Sequence, residues 1–218
     1  MEYLAHSNRV VDGIEKRDPA LSARGKQVLV IGGGDTGADC VGTANRQGAK
    51  RVYQFEIMPK PPLWKKSWNP QWPHWPTILR TSSSHEEGCH RDRAVETTGF
   101  RGTNGSVEAV HFQRIEWKPA SNGDGPSMVK IPGSDFSMKF DMILLSMGFD
   151  HVHHDRLLAD LKIDYDLRGN VKSLSECRTS VEGIYGAGDA VTGASLVVRA
   201  IHQGRQAAAH INSHLKKH

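Results

Sequence analysis

Six residues, Gly32-Gly33-Gly34-Asp35-Thr36-Gly37, fit the spacing G-x-G-x-x-G, and they sit between an apolar run and a helical pattern. Val28-Leu29-Val30-Ile31 reads as a fully buried parallel strand. Ala38, Val41 and Ala44 or Asn45 then recur at helical spacing, with Asp35 or Thr36 as N-cap and Gly48 as the stop, and Val52 to Ile57 supplies a second strand. Strand, glycine turn and helix in this order predict a dinucleotide-binding Rossmann unit over residues 26 to 57. In that unit Gly32 permits the tight turn, Gly34 lets backbone approach a pyrophosphate and Gly37 lets helix and strand pack closely. The phosphates then face the unpaired amides at the helix N-terminus.

Glu56 lies 19 residues beyond Gly37, where an acidic side chain hydrogen-bonds a ribose 2′-hydroxyl. That position predicts binding of NADH at least as tight as NADPH. Lys50, Arg51, Lys60, Lys65 and Lys66 are the nearby cations that could answer a 2′-phosphate instead.

Composition narrows the class. The 218 residues are 38% hydrophobic and 24% charged, and no apolar stretch approaches the roughly 18 residues of a membrane span, so a soluble, cytoplasmic protein is expected. Met1-Glu2-Tyr3-Leu4-Ala5-His6 lacks the basic cluster and apolar run of a secretory signal. The net charge of +4 is scattered, with no arginine-rich helix, which argues against a nucleic-acid partner. Cys40, Cys89 and Cys177 are far apart, odd in number and form no C-x-x-C pair, which fits free thiols and argues against a dithiol-disulfide reductase.

Residues 1 to 25 read as a connector and 58 to 103 as a long irregular loop rich in Pro, Trp and Ser. Within it, Trp64, Trp68, Trp72 and Trp75 suggest loop packing rather than a lid over the nicotinamide. Residues 107 to 131 read as a β-hairpin insert turning at Asn122-Gly123-Asp124-Gly125. Strands are expected at Met142 to Met147 and Gly183 to Ala187, and a final helix from Ala194 to Leu215 with one apolar face. His151, His153 and His154 read as a solvated loop rather than a metal site, and Cys89-His90 is assigned no catalysis.

Residues 179 to 189, ending in Gly188-Asp189, and the small residues Gly193-Ala194-Ser195 resemble the C-terminal FAD motif of two-dinucleotide-binding flavoproteins. The resemblance implies flavin contacts at Gly188, Asp189, Ser195 and Leu196. Ser146-Met147-Gly148 resembles the crossover between cofactor domains in the same proteins, which adds Gly148.

Gly32 to Cys40, Phe55 to Pro59, the Trp-Pro run, His85-Glu86-Glu87-Gly88, Met147-Gly148-Phe149 and Ser195 to Ile201 are together similar to the glutamate synthase small subunit. That family implies an oxidoreductase that takes hydride from NAD(P)H on FAD and passes electrons through iron–sulfur clusters. Its partner is a large subunit that makes glutamate from glutamine and 2-oxoglutarate. The family's cysteine-rich cluster ligands and its first, FAD-binding G-x-G-x-x-G are not in this sequence, so the chain is expected to be the C-terminal part of that subunit, inactive alone.

The expectation is an α/β fold: a connector at 1–25, a Rossmann-like NAD(P)-binding domain at 26–145, and the C-terminal segment of a discontinuous FAD-binding domain at 146–218. The cofactors carry the chemistry, so no catalytic side chain is named. Self-association through an unpaired edge of the C-terminal sheet is a further expectation. The rivals are a related flavoprotein reductase with another acceptor and a non-catalytic dinucleotide-binding module.

Overall fold

The computed structural model describes residues 1–62, 79–119 and 126–216. The chain divides into two units, Met1–Met147 and Gly148–His218. The first begins with helix α1 (Glu2–Val11), followed by β1 (Gln27–Ile31), α2 (Asp35–Arg46), β2 (Arg51–Glu56), the single turn α3 (Ser83–Glu86) and β3 (His90–Arg93). Strands β4 (Val95–Thr103), β5 (Ser106–Pro119), β6 (Pro126–Lys130), β7 (Phe136–Lys139) and β8 (Met142–Leu145) complete it.

Two sheets result. A parallel sheet runs β3-β2-β1-β8, and an antiparallel sheet runs β4-β5-β6 with β7 also paired to β5. Side chains alternate across β1, so its residues feed two cores. Val28 and Val30 pack with Val41 and Ala44 of α2, whereas Leu29 and Ile31 pack with Phe55, Val110, Phe112 and Phe140. Helix α2 ends as its glycine predicts. Gly48 takes φ +84°, its amide donates to the Asn45 carbonyl, and the Ala49 amide donates to that of Ala44, closing a Schellman motif.

Three expectations for this unit need correction. Residues 1–25 hold a packed helix rather than a bare connector. Tyr3 is 5% exposed in the α2 core, and its hydroxyl donates to Gln47 Oε1 at 3.2 Å, which also accepts from the Ala23 amide. Replacing Tyr3 with Ala is therefore expected to lower stability by about 3 kcal/mol, the scale of truncating a buried aromatic, as read from urea unfolding. Residues 58–103 are not one loop, because α3, β3 and β4 fall inside them. The hairpin insert is larger than 107–131, since β4 and β7 join β5 and β6. The four tryptophans of the Trp-Pro run and the turn at 122–125 lie outside the described residues.

The second unit contains α4 (Leu157–Leu161), a 3-10 turn at Ser175–Cys177, α5 (Asp189–Thr192) and α6 (Val197–Leu215). Gly183 to Ala187 is not a strand. Only isolated bridges, Tyr165 to Val171 and Arg178 to Tyr185, occur among the described residues of this unit, so the expected C-terminal sheet edge is not there. Ile163, Val171 and Ala207 are its buried apolar side chains. The apolar residues at the start of α6 face outward, with Leu196 62%, Val197 72% and Val198 68% exposed. No described helix is long and apolar enough to cross a membrane.

Candidate dinucleotide site

The glycine turn links the C-terminal end of β1 to the N-terminus of α2, as its spacing predicts. Gly32 takes φ +119°, and a Cβ there would collide with the carbonyl of Ser146, the residue after β8 whose hydroxyl donates to the Ile31 carbonyl. A Cβ on Gly37 would lie 2.6 Å from the Gly32 carbonyl oxygen and 2.8 Å from Gln54 Nε2. These two glycines are needed by the fold itself. Gly34 differs, because a Cβ there meets nothing within 4 Å. The open space lies at the N-cap of α2.

Gly34, not Asp35 or Thr36, is that N-cap, and no side chain caps the helix. Asp35 and Thr36 form its first turn, whose amides lack intrahelical acceptors. An uncapped helix of twelve residues beside an open glycine fits a pyrophosphate: free N–H donors, the positive end of the macrodipole and room for an anion.

Glu56 ends β2 and lies against Gly33, where a Cβ would strike its carboxylate. Unlike the backbone contacts at Gly32 and Gly37, this one is with the end of a flexible side chain that can shift. The parallel register sets Arg93 beside Glu56 and Arg91 beside Gln54, and the Arg93 guanidinium is ion-paired to the Glu56 carboxylate. The Glu56 charge is thus answered within the fold. A cavity of about 450 Å³ follows, lined by Lys60, Leu79, Arg91, Asp92 and Arg93. Asp92 is engaged by Arg114 Nη1 at 2.7 Å, while Lys60 and Arg91 have no carboxylate partner among the described residues. Burial holds the Arg91 guanidinium below its usual range, with neighbouring Arg93 acting in the same direction.

Of the cations read from sequence, Lys60 alone is brought here. Lys50 and Arg51 sit at the far end of β2, about 16 Å away at ~3.3 Å per residue, and Lys65 and Lys66 lie outside the described residues. Arg91 and Arg93 were missed because His90-Arg91-Asp92-Arg93 has no apolar residue to mark a strand. Basic residues two apart, on one face of any extended segment, were the available signal.

In the second unit, the loop after Tyr185 gathers the other predicted residues. Gly188 takes φ +69° and donates its amide to Gln203 Oε1 at 2.7 Å. Asp189 Oδ1 accepts from the Ser195 amide at 3.2 Å, and Leu196 is the N-cap of α6. Gly188, Asp189, Ser195 and Leu196 thus share one turn. Gly148 opens this unit at φ +99° with no atom near its missing Cβ.

Burial pushes the thiols of Cys40 and Cys89 up to about 11, which keeps them protonated at neutral pH and unsuited to thiol exchange. A thioredoxin reductase from T. acidophilum matches 87% of this chain and 53% of its own, with a TM-score of 0.54 and 22% identity. The fold is therefore that of part of a thioredoxin reductase. Cys40, Cys89 and Cys177 are all free thiols.

No family model matches the chain. The glutamate synthase [NADPH] small chain of Mycobacterium tuberculosis is 45% identical over 219 residues, covering 99% of this chain and 43% of that one. The glutamate synthase [NADH] of Schizosaccharomyces pombe is 38% identical over 97% of this chain and 10% of its own length. The small chain of Bacillus subtilis is 31% identical over 99% and 45%. This chain spans less than half the length of the small chains it matches, and over nearly all of its own length it is homologous to a segment of the glutamate synthase small chain.

Proposed function

We propose that the chain is the NAD(P)H-binding part of a glutamate synthase small subunit, together with the segment that completes its flavin domain. The carrying observation is the uncapped α2 N-terminus beside an open Gly34. The parent oxidoreductase passes electrons from NAD(P)H through FAD and iron–sulfur clusters to the glutamate-forming large subunit. NAD(P)H held at the turn would supply the hydride, and FAD in the completed protein would supply its acceptor. What this chain contributes is placement: α2 amides for the pyrophosphate, Glu56 and its cationic neighbours for the adenosine end, and the Gly188–Leu196 turn for the flavin.

Titration of the chain with NADPH, followed by ferricyanide reduction with and without the remaining polypeptide, tests the reading. Binding without turnover in the 218-residue chain, and turnover in the completed protein, is the expected result. Binding with no turnover in either would favour a nucleotide-sensing module.

The charge around Glu56 sets the cofactor preference. With Glu56 paired to Arg93, the cavity at Lys60 and Arg91 suits an added phosphate. A charge-assisted hydrogen bond contributes about 1.5–3 kcal/mol, so NADPH is expected to bind at least tenfold more tightly than NADH. Replacing Arg91 with Ala should erase most of that advantage and leave NADH affinity unchanged. Calorimetry with both nucleotides decides it, and equal affinities in the unaltered chain would restore the NADH expectation.

A further inference from the structure

A chain of hydrogen bonds runs from the glycine turn to a histidine 53 residues away in sequence. Gln54, 3% exposed on β2, donates Nε2 to the Gly32 carbonyl at 2.9 Å. Its Oε1 lies 2.9 Å from His85 Nε2. His85 Nδ1 is 3.1 Å from the Ser82 backbone nitrogen and 2.9 Å from the Ser82 hydroxyl. A backbone N–H only donates, so Nδ1 is the acceptor and carries no proton. The proton must then sit on Nε2, which donates to Gln54 Oε1. That contact fixes which end of the Gln54 amide faces Gly32. Every link has one consistent polarity, and the neutral Nε2-protonated imidazole satisfies all of them.

The link matters because the Gly32 carbonyl is the surface against which the Gly37 backbone packs. Resting on the dinucleotide reading of the Gly32–Gly37 turn, we propose that His85 is a positioning residue: through Gln54 it locks the turn that presents the α2 amides to the pyrophosphate, and dinucleotide binding requires its uncharged form.

Protonation would place an N–H on Nδ1, ending its acceptance from the Ser82 amide and leaving the Ser82 hydroxyl oxygen, 2.9 Å away, as its acceptor. The Nε2 link to Gln54 would persist while the Ser82 end that orients the ring is rearranged. The charged groups around the imidazole oppose that state. Burial holds its pKa below the ordinary histidine value, and Arg91 and Arg93 on β3 act in the same direction. Glu56 on β2 is neutralised by Arg93, and Glu87 beside α3 is paired with Arg46 of α2. Glu86 lies on α3 itself.

The sign is definite. A histidine pKa depressed by folding leaves the native state binding fewer protons than the unfolded chain. Its contribution to stability is therefore complete above the unfolded value of about 6.5 and declines as the pH falls from there through the folded value. The loss of affinity follows the lower, folded pKa.

The test is calorimetric titration with NADP⁺, which survives acid, at pH 8 and pH 5.5. It compares the unaltered chain with His85→Gln and His85→Leu, each checked for intact circular dichroism. Glutamine retains an N–H donor for Gln54 but does not titrate. His85→Gln should bind within about threefold of the unaltered chain at pH 8, and His85→Leu about tenfold more weakly. Between pH 8 and 5.5 the unaltered chain should lose more affinity than His85→Gln, by a factor below the roughly tenfold that an unshifted imidazole of pKa about 6.5 would give, and the comparison cancels titration of the nucleotide's own phosphate. Equal acid losses in the unaltered chain and His85→Gln, or unchanged affinity in His85→Leu, would overturn the proposal. No binding by the unaltered chain at pH 8 would overturn the dinucleotide reading instead.

Discussion

Valine at position 34 is expected to leave the first unit folded and to abolish dinucleotide binding. The two effects separate because of where each glycine sits. Gly34 takes an ordinary φ of −80°, and its missing Cβ faces open space, so a branched side chain meets no protein atom at that point. The space it would fill is the space assigned to the pyrophosphate. Loss of even two phosphate hydrogen bonds at about 1.5–3 kcal/mol each corresponds to at least a hundredfold weaker binding.

Gly37 supplies the contrast. A Cβ there would press on the Gly32 carbonyl and on Gln54, so Gly37→Ala should destabilise the unit by about 1–3 kcal/mol through overpacking. Thermal unfolding and NADPH titration of the two variants give opposite patterns. Unchanged affinity in a folded Gly34→Val chain would mean that the turn is not the binding site.

The β1-turn-α2-β2 core was legible because each of its signals is local. A strand buried on both faces is a continuous apolar run, and β1 feeds two cores as such a run requires. The glycine spacing encodes backbone geometry, and Gly32 and Gly37 are indispensable for the contacts found around them. What stayed hidden depends on distant partners. His90-Arg91-Asp92-Arg93 is a strand only because β2 pairs with it. Tyr53 stacks on His90 with ring centroids 5.0 Å apart, and Glu56 holds Arg93. Helix α1 has no capping side chain at its N-terminus and buries only Tyr3 and His6 among its ten residues, so neither a start signal nor an apolar run marked it.

The site divides in the same way. The chain positions of Gly32, Gly34 and Gly37 around the turn were readable, whereas the ion-pair partner of Glu56 was not, since Arg93 lies 37 positions away. An expected element is missing at Gly183 to Ala187. Its apolar and glycine-rich character reads as a strand, yet no neighbouring strand is described to pair with it.

The 218-residue chain is also expected to purify without FAD, although it carries the Gly188–Leu196 turn. A flavin dinucleotide is anchored chiefly where its pyrophosphate meets a glycine turn at a helix N-terminus, and the one G-x-G-x-x-G in this sequence is that of Gly32 to Gly37. The second unit offers less. Asp189 already accepts the Ser195 amide, and the Gly188 amide is already given to Gln203. Two or three remaining hydrogen bonds at ~0.5–1.5 kcal/mol each barely reach the ~4 kcal/mol of millimolar affinity. At about ten micromolar protein and flavin, that leaves about one per cent of sites filled. The outward apolar residues Leu196, Val197 and Val198 could add burial only if something covered ring and helix together. The buried apolar side chains of this unit, Ile163, Val171 and Ala207, are too few to build that cover from within. An absorbance spectrum of freshly purified protein is the measurement. A stoichiometric flavin band would show that the Gly188–Leu196 turn binds FAD without a second glycine turn, and that the pyrophosphate is not the chief anchor in this protein.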